Sequence, residues 1–145
     1  MKIKLLNDLA KIPTRGSEEA AGWDLYAATD KDITIRPHCT EKIGTGIAIE
    51  IPSRLWFGAI FARSGIATKQ GLRPANAVGV VDADYRGELI VALHNDTDEF
   101  QIIPAGSRIA QLVILPYVDI GGFEIVNELS NTERGNGGFG STGAK

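Results

Sequence analysis

The chain reads as an all-β protein of one domain, and three observations carry that reading. Its apolar residues fall in short bursts rather than long stretches. Within the bursts they alternate with period two, the spacing that puts side chains on one face of a strand. Turn formers separate the bursts, and no 3.6-residue periodicity lasts beyond a turn or two. At 145 residues the chain has the size of a single domain, long enough to hide roughly two-thirds of its unfolded surface.

The first clear burst runs from Ile43 to Ile51, with Ile47, Ile49 and Ile51 on one side. Leu55 to Ala62 is the second. Ser64 is placed to cap the one plausible helix, Gly65 to Gln70, and Gly71 to end it. The third burst is Glu88 to His94, with Leu89, Val91 and Leu93 sharing a side. Arg108 to Leu115 is the fourth; Arg108, Ala110 and Leu112 are expected to face one way, Ile109 and Gln111 the other. Breaks fall at Pro37, Pro52-Ser53, Asn95-Asp96, Pro104 to Gly106 and Gly121-Gly122. From about Asn131 apolar periodicity stops and glycine dominates. The expected organisation is therefore a β core over 1–130 and a glycine-rich tail over 131–145.

A net charge of -3 argues against a nucleic-acid coat or a polybasic membrane patch. Cys39 is the single cysteine, so no internal disulfide can form. Met1 to Ala10 lacks the apolar region of a secretion signal. No apolar run approaches the roughly 20 residues of a membrane-spanning helix. These features predict a cytoplasmic protein that binds neither nucleic acid nor membrane.

Five segments are richer than a fold requires. In Ala21 to Ala28, Asp24 sits between apolar residues on an expected strand, where a buried carboxylate needs a partner. The plainer alternative is a turn aspartate satisfied by backbone donors. In Ala62 to Ala67, Arg63, Ser64 and Gly65 stand at the start of the helix, whose free amides attract anions. Simple capping, with Arg63 a surface charge, is the alternative. Gly79 to Glu88 reads as a β-hairpin whose polar turn carries Asp82, Asp84, Tyr85 and Arg86 together. A carboxylate there is placed to hold an attacking water. The two aspartates could also bind a metal, although no His or Cys lies nearby. In Gly106 to Leu112, Gln111 stands among apolar residues and suggests a specific polar partner; an ordinary strand residue without a special role is the plainer alternative.

The fifth segment is the tail. Gly135-Asn-Gly-Gly-Phe-Gly140 matches G-x-G-x-x-G, but that fingerprint must follow a strand and open a helix. Too little chain follows Gly140 for that. It is no P-loop either, since no Gly-Lys-Ser/Thr closes it. Yet the tail carries an arginine, a ring and two hydroxyls, the tools for gripping phosphate and stacking on a base. A lid that orders over a ligand fits, with a merely disordered tail as the alternative.

In this order and spacing the five segments resemble the five motifs of the homotrimeric dUTP pyrophosphatases (dUTPases), from Ala21 to Gly143. The resemblance implies a β-jelly-roll/β-clip subunit with one short helix, in a homotrimer whose active sites are shared between subunits. It implies hydrolysis of dUTP to dUMP and pyrophosphate by in-line attack of water on the α-phosphorus. Such an activity supplies dUMP for thymidylate synthesis and keeps uracil out of DNA. Asp82 matches the aspartate that positions the water. Tyr85 matches the ring that packs on deoxyribose and excludes a 2′-hydroxyl. Asn76 and the stretch Gly79, Val80, Val81 and Asp82 match the residues that read uracil, and Ile90 falls with the same substrate-binding set. Arg63, Ser64, Gly65 and Gln111 match phosphate-contacting positions. Arg134 and Ser141 match tail residues that grip the γ-phosphate, and Phe139, with Gly140, the part that covers uracil. Asp24 matches an acid acting on a Mg²⁺ shell through water, the Mg²⁺ being held chiefly by the triphosphate.

Two positions depart from the pattern. Ala62 stands where many relatives have proline. Ser107 replaces a common acid, and with it an ion pair around Arg108 changes. His38 and His94 stand isolated in the sequence, so neither is expected to be catalytic. The nearest rival, a dCTP deaminase, shares fold and trimer but needs a glutamate ten residues after the hairpin aspartate; Ala92 stands there. A non-catalytic nucleotide- or partner-binding trimer is a second rival. A regulatory protein partner is expected only for a chain of phage origin.

Overall fold

The computed structural model describes residues 1–138. Phe139, Gly140 and Ser141 lie outside the described residues. Twelve strands and one helix follow in order: β1 Lys2–Leu5, β2 Thr14–Arg15, β3 Trp23–Tyr26, β4 Ile33–Ile35, β5 Thr40–Gly44, β6 Ile47–Glu50, β7 Trp56–Phe61, α1 Ser64–Gln70, β8 Leu72–Pro74, β9 Gly79–Val81, β10 Ile90–Asn95, β11 Gln101–Ile103 and β12 Arg108–Pro116. All pairings are antiparallel. The largest sheet runs β2-β3-β12-β7-β9, a second runs β5-β10-β8, and two pairs join β1 to β6 and β4 to β11. The architecture is the expected all-β jelly roll with one short helix.

The core forms where the sheets face each other. Leu25, Ile35, Leu72, Leu93, Ile109 and Leu112 are fully buried there. As the period-two pattern predicts, Leu89, Val91 and Leu93 all point inward. Strand β6 does not alternate so simply: Ala48 is buried along with Ile47 and Ile49, because this strand is covered on both faces. Lys2 Nζ bridges to Glu50 at 2.8 Å across the β1–β6 pair and holds that carboxyl below its ordinary range.

Three local expectations are corrected. Arg63, not Ser64, is the N-cap of α1: its backbone is extended, and its carbonyl accepts the Ile66 and Ala67 N–H groups. Ser64 is already helical and makes no side-chain cap. Gly71 ends the helix in the left-handed conformation, as expected. Alternation in β12 fails because the β3–β12 register shifts between Arg108 and Ala110. Such a bulge turns successive residues the same way, so Ile109 and Ala110 are both buried.

The third correction bears on function. The segment Gly79 to Glu88 is not a hairpin of paired strands. Strand β9 pairs with β7 in the large sheet, while β10 pairs with β5 and β8 in another. The chain therefore arches from sheet to sheet. Thr45 catches it on arrival, donating both its N–H and its hydroxyl to the Leu89 carbonyl. Glu88 adds an acceptor for the Gly46 N–H at 2.7 Å.

Beyond β12, residues 117–138 contain neither strand nor helix, and apolar side chains stand in solvent, Phe123 at 93% and Ile125 at 98% exposure. Among the described residues no helix is long and apolar enough to cross a membrane.

Candidate active site

Sequence-predicted residues gather in two clusters. The first is built on one rung of the large sheet, where Asp24 of β3 pairs with Gln111 of β12, and Gln111 with Phe61 of β7. Asp24 is 8% exposed and finds the partners its burial demands. Arg63 donates through Nε to Oδ1 at 2.7 Å, and Arg108 through Nη1 to Oδ2 at 3.2 Å. The turn-aspartate alternative is thereby excluded. Among the described residues the Nη groups of Arg63 make no hydrogen bond, so the outer fork of the anchored guanidinium is left unengaged.

Gln111 supports this corner rather than pointing idly outward. Its Nε2 donates to the Ala62 carbonyl at 2.9 Å, just before Arg63. It packs so closely over Gly22 that a Cβ there would collide with the Gln111 Oε1. Beside it, a Cβ on Gly65 would meet nothing within 4 Å, leaving open approach to the helix start.

The second cluster surrounds a concavity of about 370 Å³, within the range of small-molecule sites. Asn76, Gly79, Val80, Val81, Asp82, Tyr85 and Ile90 line it, together with Ile60, Glu88 and Leu89, which the sequence did not offer as site residues. An acid opening an apolar strand was the available signal for Glu88. Asp82 is exposed at the edge, and its carbonyl accepts the Tyr85 N–H at 3.1 Å, closing a turn. The Tyr85 hydroxyl donates to the Glu88 carbonyl at 3.0 Å. That fold-back needs Gly87, because a Cβ there would strike the phenol oxygen.

Within one chain Asp82 and Arg63 are far apart, although the cleft reaches Ile60 near the end of β7. Val81 pairs with Gly58 near the start of β7, and Asp82 lies beyond it, whereas Arg63 follows the end of β7. At about 3.3 Å per residue, the stretch from Gly58 to Arg63 alone measures roughly 17 Å. Arg134 lies in the exposed terminal stretch, its Nε bonded to the Gly137 carbonyl at 2.8 Å, and touches neither cluster. The histidines are less isolated than the sequence suggested: His38 meets Asp98 at 2.8 Å and His94 meets Thr40 at 2.9 Å.

Among the described residues no group of three or more His, Cys, Asp or Glu side chains could cage a metal. Each Asp24 oxygen already accepts from an arginine. With both oxygens so engaged, Asp24 could meet an ion's water shell but is not free to ligate the ion directly.

Fold and clusters together define an antiparallel β protein with a small-molecule-sized cleft and a separate corner where Asp24 pairs with two arginines. The family model described as dUTPase matches residues 8–143. The deoxyuridine 5′-triphosphate nucleotidohydrolase of Desulfitobacterium hafniense is 50% identical over 133 residues, 92% of this chain and 87% of the relative. That of Candida albicans is 45% identical over 144 residues, 99% of this chain and 87% of the relative. Among solved structures, a mutant dUTPase of Staphylococcus bacteriophage 80alpha with dUpNHpp superposes with a TM-score of 0.85 at 30% identity, covering 98% of this chain and 97% of that one. The chain belongs to the dUTPase family.

Proposed function

We propose that this chain hydrolyses dUTP to dUMP and pyrophosphate in sites shared between copies of a homotrimer. The observation that carries the reading is the meeting of Asn76, Gly79 to Asp82, Tyr85 and Ile90 around one cleft, as the motif resemblance requires. The cleft receives the base against the Gly79–Val81 backbone, whose exposed edge offers the directional donors and acceptors that discriminate bases. Tyr85 packs on the sugar. Asp82, solvent-exposed at the edge, orients the attacking water and takes its proton.

The separation of Asp82 from Arg63 supports sharing. A triphosphate attacked at its α-phosphorus must touch water base and anion corner together, which one chain cannot arrange across roughly 17 Å of β7. A second copy supplies Arg63, Ser64, Gly65 and Gln111 to the first copy's cleft. The tail, with Arg134, Phe139, Gly140 and Ser141, closes over the site, set against a core over 1–130. When bound, Mg²⁺ would neutralise charge on the triphosphate. Asp24 contributes by anchoring Arg63 and by accepting from that ion's water shell. A cytoplasmic role in providing dUMP and removing dUTP follows from the activity. The deaminase reading is disfavoured by Ala92, whose methyl side chain cannot shuttle a proton.

The test is pyrophosphate release with Mg²⁺ from dUTP, dTTP, dCTP and UTP. Strong preference for dUTP is expected. Equal turnover of all four would remove the uracil reading.

A further inference from the structure

A half-exposed arginine outside both clusters reaches toward the cleft. Arg73 lies in β8 between two buried residues, Leu72 and Pro74. Its Nε and Nη2 donate to Asp96 Oδ2 and Oδ1 at 2.7 and 3.0 Å, a two-pronged bond. Nη1 turns the other way and reaches the Pro74 and Ala75 carbonyls at 3.3 and 3.4 Å. The next residue is Asn76.

Backbone bonds hold the two ends of that turn, Ala75 N–H to the Ala92 carbonyl at 2.8 Å and Val78 N–H to the Asn76 carbonyl at 2.6 Å, but among the described residues Arg73 is the one side chain that bonds to it. Residues 75–78 are all exposed, so packing does not set their orientation. Ala77 adopts a left-handed φ of 61°, uncommon for a residue with a Cβ. Its N–H donates to the same Pro74 carbonyl that Arg73 reaches, at 3.0 Å. Asp96 is a firm anchor by comparison. The neighbouring Asn95 is fully buried, giving its amide to the Ile35 and Glu99 carbonyls and accepting from Thr97. The Asp96 N–H is itself bonded to the Gly71 carbonyl.

We propose that Arg73, held by Asp96, is a positioning residue that sets base selectivity by bracing the turn that presents Asn76 to the cleft. The inference rests on the dUTP reading above. As an exposed ion pair Arg73–Asp96 would stabilise little; its use lies in geometry. A planar guanidinium can grip a carboxylate and two carbonyls at once, whereas an ammonium is a point charge that cannot span them. His94, with Nε2 at 3.5 Å from Asp96 Oδ1, backs the carboxylate from β10.

The experiment uses the full chain and compares wild type with Arg73→Ala, Arg73→Lys and Asp96→Asn, on dUTP and dCTP. In Arg73→Ala the KM for dUTP is expected to rise about tenfold while kcat changes less than about twofold. The preference for dUTP over dCTP should fall in parallel. Arg73→Lys should resemble Arg73→Ala, and Asp96→Asn, which keeps volume and one acceptor, should show a smaller effect of the same kind. An unchanged KM and preference in Arg73→Ala overturns the proposal. So does full rescue by lysine, which would make the contact one of charge alone. A wild type without turnover of dUTP overturns the dUTP reading and this inference together, whereas an active wild type with an indifferent Arg73 removes the inference only.

Discussion

Arg63 is tethered to Asp24 through its Nε, 2.7 Å from Oδ1, and not through its terminal nitrogens. A guanidinium held by its inner nitrogen leaves its outer two unengaged, and the bond restricts where they can point. Asp24 lies on β3 and Arg63 beyond β7, with β12 between, so the sheet itself sets the reach of the arginine.

Replacing Asp24 by alanine leaves Arg63 and Arg108 without their counter-charge. Breaking a buried pair in this way costs about 3 kcal/mol, discounted here because Arg108 is half-exposed. Urea denaturation should show lowered stability. Displacing Arg63 should lower kcat/KM by roughly 100-fold. Wild-type kinetics in Asp24→Ala would show that Arg63 needs no tether.

Asp82→Asn keeps the shape of the turn but cannot accept a proton from water. dUTP should still bind in calorimetry, while kcat drops by about 10² to 10⁴. Wild-type rates would remove Asp82 from its role.

Asp82→Asn and Arg63→Ala chains should complement one another. If each site takes Asp82 from one copy and Arg63 from another, random mixing restores roughly a quarter of the sites. Unfolding and refolding the two inactive proteins together, then assaying, reads this directly. No recovery would place both residues in the same chain's site.

Gly87→Ala puts a methyl where the Tyr85 hydroxyl lies. With the ring displaced, discrimination against the 2′-hydroxyl should weaken, raising UTP turnover relative to dUTP by about tenfold. An unaltered UTP to dUTP ratio would dissociate Tyr85 from sugar selection.

Removing the chain after Ser130 should preserve the assembly by light scattering yet cripple turnover, because a lid that excludes water is lost. Full activity in the shortened protein would show that the tail has no part in the reaction.

The local readings succeeded where one force governed the outcome. Leu89, Val91 and Leu93 had to alternate because one face of β10 is core. Asp24 had to be paired because it is buried. They failed where distant chain intervened. Ser64 looked like a cap, but Arg63, tied to Asp24 on distant β3, has the extended backbone and took that position. The bulge at Arg108 followed from the fit of β12 against β3, which no spacing within β12 records. Glu88, which lines the cleft, is held by the Gly46 N–H, far away in sequence.

By itself the sequence determined the all-β class, the short helix and its Gly71 stop, and the five segments that carry the family resemblance, since period, turn chemistry and motif order are all local properties. Only the tertiary structure decided that the Gly79 to Glu88 segment is an arch between sheets and not a hairpin. It alone gave Asp24 two arginines, tied Arg73 to the Asn76 turn, and put Asp82 and Arg63 toward opposite ends of β7. Those are matters of which strand pairs with which. Pairing is set by the burial of whole faces, and a linear pattern does not name the partner of any strand.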